Sequence, residues 1–163
     1  MKLAPFLLAL SLTIPVLAQD VKFYRLDFAI KELDENKVVS VKRYSTLIST
    51  DDRENGASIR AGSKVPYQVT GSSPLLHNFV DVGVNIDCQK IKESGSQLAV
   101  QVNAEISSVP ATDGPITAVP LIRQNRWRSL ATVEIGKATT LYSSDDLNSK
   151  RKLQLELTAT LVK

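Results

Sequence analysis

The sequence predicts an all-β chain, an antiparallel β-sandwich or a curved, open pair of sheets. Three observations carry that expectation. Apolar residues recur at every second position in four clean runs and one noisier run. No apolar i, i+3, i+4, i+7 pattern persists over the length of a helix, and turn-forming clusters part the runs.

Tyr24, Leu26, Phe28 and Ile30 alternate with Arg25, Asp27 and Ala29, which gives the first strand one dry face. Asp34-Glu35-Asn36-Lys37 predicts a hairpin into a less regular β-rich stretch, Val38 to Ile48. Asp51 to Gly56 ends in Asn-Gly, the strongest tight-turn dipeptide. Gly62-Ser63-Lys64 reads as a turn that ends a strand, since the spacing and the following helix of a phosphate loop are absent. Gly71-Ser72-Ser73-Pro74 reads as a loop, with His77 exposed near its end. The strongest strand follows, with Val80, Val82, Val84, Ile86 and Cys88 on one face. Glu93 to Ser96 turns it into Leu98, Val100, Val102, Ala104 and Ile106. Val109 to Pro120 is loop-like, and Leu153, Leu155, Leu157, Ala159 and Leu161 form the last strand. The noisy second run and the Lys150-Arg151-Lys152 approach to the last strand are expected to mark sheet edges, where charge discourages unwanted pairing. Val82, Val84, Val100, Val102, Leu155 and Leu157 are expected to share one core.

At 163 residues, 43% hydrophobic and 23% charged, the chain has material for one domain with a real core. A net charge of +3 leaves no footprint of a nucleic-acid binder. One His and one Cys exclude most self-contained zinc sites, iron–sulfur centres and internal disulfides. Residues 1–18 read as a signal peptide, with a basic start, a short apolar run and Val16-Leu17-Ala18 before cleavage at Gln19. Residues 19–163 then form a single β-domain, exported to the periplasm or the outer membrane. It has no helical span, because no later stretch reaches about 18 apolar residues. Aromatics at 6% are too few for the girdles of a membrane barrel.

The order of these pieces resembles the C-terminal β-domain of the bacterial secretins, the outer-membrane ring proteins of type II and type III secretion and type IV pili. The resemblance is carried by Lys42–Ser49, Ala57–Tyr67 with its Gly and its Val65-Pro66-Tyr67, and Phe79–Cys88 with Val82-Gly83-Val84. It continues through Gly95–Val109 and Arg123–Leu141 to the terminal Leu153–Val162. The family's gate segment is replaced after Ser144 by the short polar Asp145–Lys150, and its N-terminal ring domains have no counterpart. The resemblance therefore implies a secretin-like structural or interaction module of the envelope, ring-forming or docked on a larger complex. Its partners would be an envelope protein or further copies of itself.

The sequence offers no acid–base–nucleophile constellation, so no enzyme, cofactor or metal is expected. His77 lies near Ser72 and Ser73 without a nucleophile elbow. Asp51, Asp52, Glu54 and Asn55 lack the order of a calcium loop. Cys88 sits on an apolar face and reads as a buried thiol. The distinctive segment is Arg123-Gln124-Asn125-Arg126-Trp127-Arg128. On a strand it places Gln124, Arg126 and Arg128 on one face, with Trp127 anchoring from the other. These four residues are the expected partner-binding strand. A second reading is a soluble periplasmic ligand-binding domain that uses the same Arg/Trp strand.

Overall fold

The computed structural model describes residues 20–51, 56–68, 77–109, 121–146 and 150–162, and no helix occurs among them. Eight strands follow in order: β1 (Phe23–Asp34), β2 (Lys37–Ser49), β3 (Gly56–Gln68), β4 (His77–Ser94), β5 (Gln97–Ser108), β6 (Arg123–Glu134), β7 (Thr139–Asp145) and β8 (Arg151–Val162). They form two four-stranded sheets, β2-β1-β8-β7 and β3-β4-β5-β6. Every pairing is antiparallel. The sheets pack face to face, with β2 over β3 on one flank and β7 over β6 on the other. Of the two expected architectures, the chain is the sandwich.

The alternation dictates the packing. Tyr24, Leu26 and Phe28 of β1 and Leu155, Leu157 and Ala159 of β8 are buried against Ile86 and Cys88 of β4 and Leu98, Val100 and Val102 of β5. Each such Leu or Phe removed from water contributes about 1.5–3 kcal/mol. The intervening residues stay outside and pair across strands, as Lys31 does with Glu156 at 2.6 Å. Ser45 of β2 likewise donates to Asp27 at 2.6 Å, and Arg25, two residues before Asp27 on β1, donates to it at 2.9 Å. Burial raises the Asp27 pKa, but these two hydrogen bonds outweigh it and hold the carboxyl below its ordinary value. Val82 is the exception to the expected core. It is only half-buried, because the β4–β5 ladder begins one turn of alternation later, at Val84↔Ile106.

The β1–β2 hairpin forms where expected, with Glu35 and Asn36 at φ 47° and 69°. Two successive left-handed residues match the right-handed twist of the flanking strands. Gly95, at φ 60°, serves the β4–β5 turn in the same way.

Three expectations need correction. Gly62-Ser63-Lys64 does not end a strand: β3 runs through it to Gln68, because β4 begins at His77 and supplies a partner throughout. For the same reason His77 is the first residue of β4, opposite Gln68, and not a loop residue. The last strand is interior, between β1 and β7. Its cationic start is used across strands, with Arg151 3.8 Å from Glu32 and Lys152 3.5 Å from Asp145. Strands β6 and β7, consecutive in the chain, lie in different sheets. The Ile135-Gly136 turn carries the chain between sheets, Ile135 N–H donating to Ser96 O at 2.9 Å and Gly136 N–H to Ala159 O at 2.8 Å. The noisy second run is an edge, as expected. Residues 1–18, Asp52–Asn55, Gly71–Pro74 and Pro110–Pro120 lie outside the described residues.

Candidate interaction surface

Strand β6 obeys its alternation. Gln124, Arg126, Arg128 and Leu130 are exposed, while Asn125, Trp127, Ser129 and Ala131 are half-buried. The register sets Arg126 opposite Glu105 of β5, and both its Nε and its Nη2 donate to Glu105 Oε2, at 2.9 and 2.6 Å. Hydrogen bonds from Arg126 and then Gln124 hold the Glu105 carboxyl below its ordinary pKa. Arg128 is opposite Asn103 and reaches Gln101 diagonally. The Gln101 amide is oriented by its hydrogen bonding, and its oxygen accepts from Arg128 Nη2 at 2.6 Å and Nε at 3.2 Å. Trp127 turns inward and stacks on Tyr142 of β7, with ring centroids 4.3 Å apart and planes within 5°. The segment thus keeps its arginines on the surface, and Trp127 closes the flank between the sheets.

A groove of about 430 Å³ lies on this face, lined by Asn85, Asp87, Asn103, Glu105, Arg126 and Arg128 among others. Asn103 Oδ1 is buried there with no donor. Sequence reasoning missed Gln101, Asn103 and Glu105. Only the β5–β6 register brings them beside the arginines, and local sequence does not encode it.

A second recess of about 980 Å³ opens between the sheets beyond the core, walled by Tyr44, Val84, Ile106 and Leu153. Over it projects the outer part of the β3–β4 ribbon. The ribbon leaves the second sheet where Gly62 pairs with Gly83. Ser107 marks the departure, its buried Oγ accepting from Gly83 N–H at 3.0 Å. A Cβ on Gly83 would stand 2.2 Å from Ala61 O, and its φ of +149° belongs to glycine. Pro66 is tolerated in this ribbon because β3 is an edge strand.

Among the described residues no group of His, Cys, Asp and Glu is placed to hold a metal. Burial, with Asp87 adding to it, pushes the Cys88 thiol up to about 12, so it is not a nucleophile at neutral pH. The four strands β2, β3, β6 and β7 each lack a ladder partner on one side among the described residues. What this structure offers chemically is backbone edges and a charged face.

No protein-family model and no curated protein matches the sequence. Solved structures do match. The secretin InvG of the Salmonella SPI-1 type III secretion injectisome superposes with a TM-score of 0.55 at 11% identity, over 88% of this chain and 64% of that one. The InvG secretin-domain β-barrel gives 0.54 at 11% identity, over 88% and 62%. Aeromonas hydrophila ExeD gives 0.50 at 12% identity, over 87% and 47%. The chain therefore spans about half to two thirds of the structures it matches. Its fold is that of the secretin β-domain.

Proposed function

We propose that this chain is an exported, non-enzymatic structural module of the cell envelope that builds a ring wall by pairing with further copies of itself. The observation that carries the reading is the even strand count of both sheets. Strands alternate in direction, so β2 and β7 run oppositely, and so do β3 and β6. One copy's β6/β7 flank set against the next copy's β2/β3 flank continues both sheets antiparallel. Such a contact is head-to-tail, and a head-to-tail contact that closes is a ring. It also covers all four edges, which otherwise invite indiscriminate pairing. InvG itself is found in an injectisome basal body together with PrgH and PrgK, which supports docking on a larger complex.

The outer faces fit a wall in contact with water. Arg25, Asp27, Lys31, Thr158 and Thr160 cover one sheet, and Arg60, Asp87, Glu105 and Arg126 the other. Side chains on the β6 face would then meet a partner without blocking the backbone edge.

Size-exclusion chromatography with light scattering, with and without detergent, tests the proposal. A closed oligomer of defined mass is the expected result. A monomer at high concentration in both conditions would refute ring formation and favour a soluble ligand-binding domain.

A further inference from the structure

We propose that the outer half of β4 is an open edge that takes an extended segment of a partner protein as an added antiparallel strand. From Val84 to Gln89 β4 is paired with β3 and β5, but from His77 to Gly83 it has β3 alone. Two observations fix where its backbone groups point there. Pro66 is directly opposite Phe79, and proline has no N–H to exchange. That pair is therefore of the non-hydrogen-bonded kind, so the Phe79 N–H and C=O point away from β3. Gly83, four residues on, agrees, because its N–H faces β5 and donates to Ser107 Oγ at 3.0 Å. Ser107 thus accepts the Gly83 donor with its side chain, where the β4–β5 ladder ends. Beyond it, Phe79 and Asp81 hold two N–H and two C=O groups on that side with no ladder partner among the described residues.

These groups form a line in which donor and acceptor alternate, and another peptide backbone is what matches all of them. An anion answers the donors alone, and a lipid chain answers neither. The recess between the sheets adds selectivity for side chains. Val65, Val82 and Gly83 line it at the open edge, and Ile106 and Val109 line it across from them. Every second side chain of an added strand therefore enters this recess of about 980 Å³, beside Val82 and towards the apolar floor. The alternate side chains share the outer face with Phe79 and Asp81, which are exposed. The chain's own residues 110–120 follow β5 but carry Pro110, Pro115 and Pro120, three positions without a donor. A proline-free segment of a second chain, apolar at every other residue, makes the fuller ladder. The edge lies inside its sheet and at neither flank, so the inference is independent of ring closure.

The test is fluorescence anisotropy of the full chain with a labelled Lys-Thr-Val-Thr-Val-Thr-Val-Thr-Lys peptide. In an antiparallel ladder the residues that exchange hydrogen bonds with Phe79 and Asp81 share their outer face. Threonines therefore bond to β4 while valines enter the recess. N-methylation of the threonine amides is expected to weaken binding about tenfold or more, and N-methylation of the valine amides by less than about twofold. Replacing the valines by serine weakens binding, and Asp81→Pro, which removes one free donor, does the same. Hydrogen-exchange mass spectrometry locates the contact: the peptide should slow exchange across residues 77–83 and leave β2, β6 and β7 unchanged. Equal weakening by the two methylations overturns the proposal, as does slowing confined to β2, β6 or β7. So does a failure to bind at millimolar peptide, as would follow if residues 110–120 filled the edge. Peptide bound by a monomer supports the site while refuting the ring; a ring that binds no peptide refutes the site alone.

Discussion

Replacing Gly83 by Ala is a sharp probe of the fold, because two separate penalties coincide at one residue. The new methyl would lie 2.2 Å from Ala61 O and 2.4 Å from Gly62 Cα. Carbon–oxygen contacts rarely close below 3.0 Å, so β3 and β4 must part by most of an ångström where they cross. Parting them weakens one or two ladder hydrogen bonds, each about 1 kcal/mol. The backbone at φ +149° adds about 1–3 kcal/mol for a residue with a side chain. The expected loss is about 2–5 kcal/mol, a fall in melting temperature of roughly 6–15 °C for a chain of this size. Gly95→Ala is the control, with a left-handed φ of +60° and open space around its Cβ. It should cost about 1–2 kcal/mol, or some 3–6 °C. Gly62→Ala should fall between, since its φ is ordinary but its Cβ would meet Val82 O at 2.4 Å. Thermal melts by far-ultraviolet circular dichroism rank the three. If Gly83→Ala melts with or above Gly95→Ala, the close approach of β3 and β4 is wrong.

The other predictions concern the core, alkaline pH and the edges. Leu157→Ala removes a fully buried side chain and should cost about 2–5 kcal/mol in denaturant unfolding, whereas Thr158→Ala on the opposite face should cost under about 1 kcal/mol. Val84→Asp should prevent folding and Asn85→Asp should leave a cooperative melt; equal melts would reverse the face assignment of β4. Burial raises Cys88 from 9.0 to about 12, and burial with the Glu93 carboxylate raises Tyr24 from 10.0 to about 12. In both cases the unfolded chain ionises first and binds fewer protons, so stability is full below pH 9 and falls as pH rises towards 12. Tyr24→Phe should flatten that fall above pH 10, as read by urea midpoints across pH. Leu47→Lys on β2, at a position 57% exposed, should lower the oligomer mass in light scattering without shifting the monomer's melt by more than about 2 °C.

Much of the fold was legible because one face of every central strand is dry. Tyr24 to Ile30, Leu98 to Ala104 and Leu155 to Ala159 declare their faces by a period of two, and burial follows it. Hairpins were legible where side chains tolerate left-handed backbone, at Glu35-Asn36 and Gly95. Pairing was less legible. Nothing in Arg151 or Lys152 tells whether β8 is central or an edge, since the same cations guard an edge or bridge to Glu32 and Asp145. Gly62 looks like a break because glycine usually is one; only its partner Gly83 makes it a crossing point. On β6 the faces were readable, and Trp127 does anchor from within. The unequal use of the two arginines depended on Glu105 and Gln101, brought there by register.

The β4 strand spans 18 residues but does not have one stability. From Val84 to Gln89 its backbone is laddered on both sides, whereas from His77 to Gly83 it has β3 alone. Amide protons of the inner half should exchange only when the whole sandwich unfolds. Those of Val80 and Val82 should exchange through local opening, orders of magnitude faster. Gly83 is then the boundary between two clocks on one continuous strand. Anything that clamps the outer ribbon, whether a neighbouring copy or a bound segment, should slow the fast clock and leave Ile86 untouched.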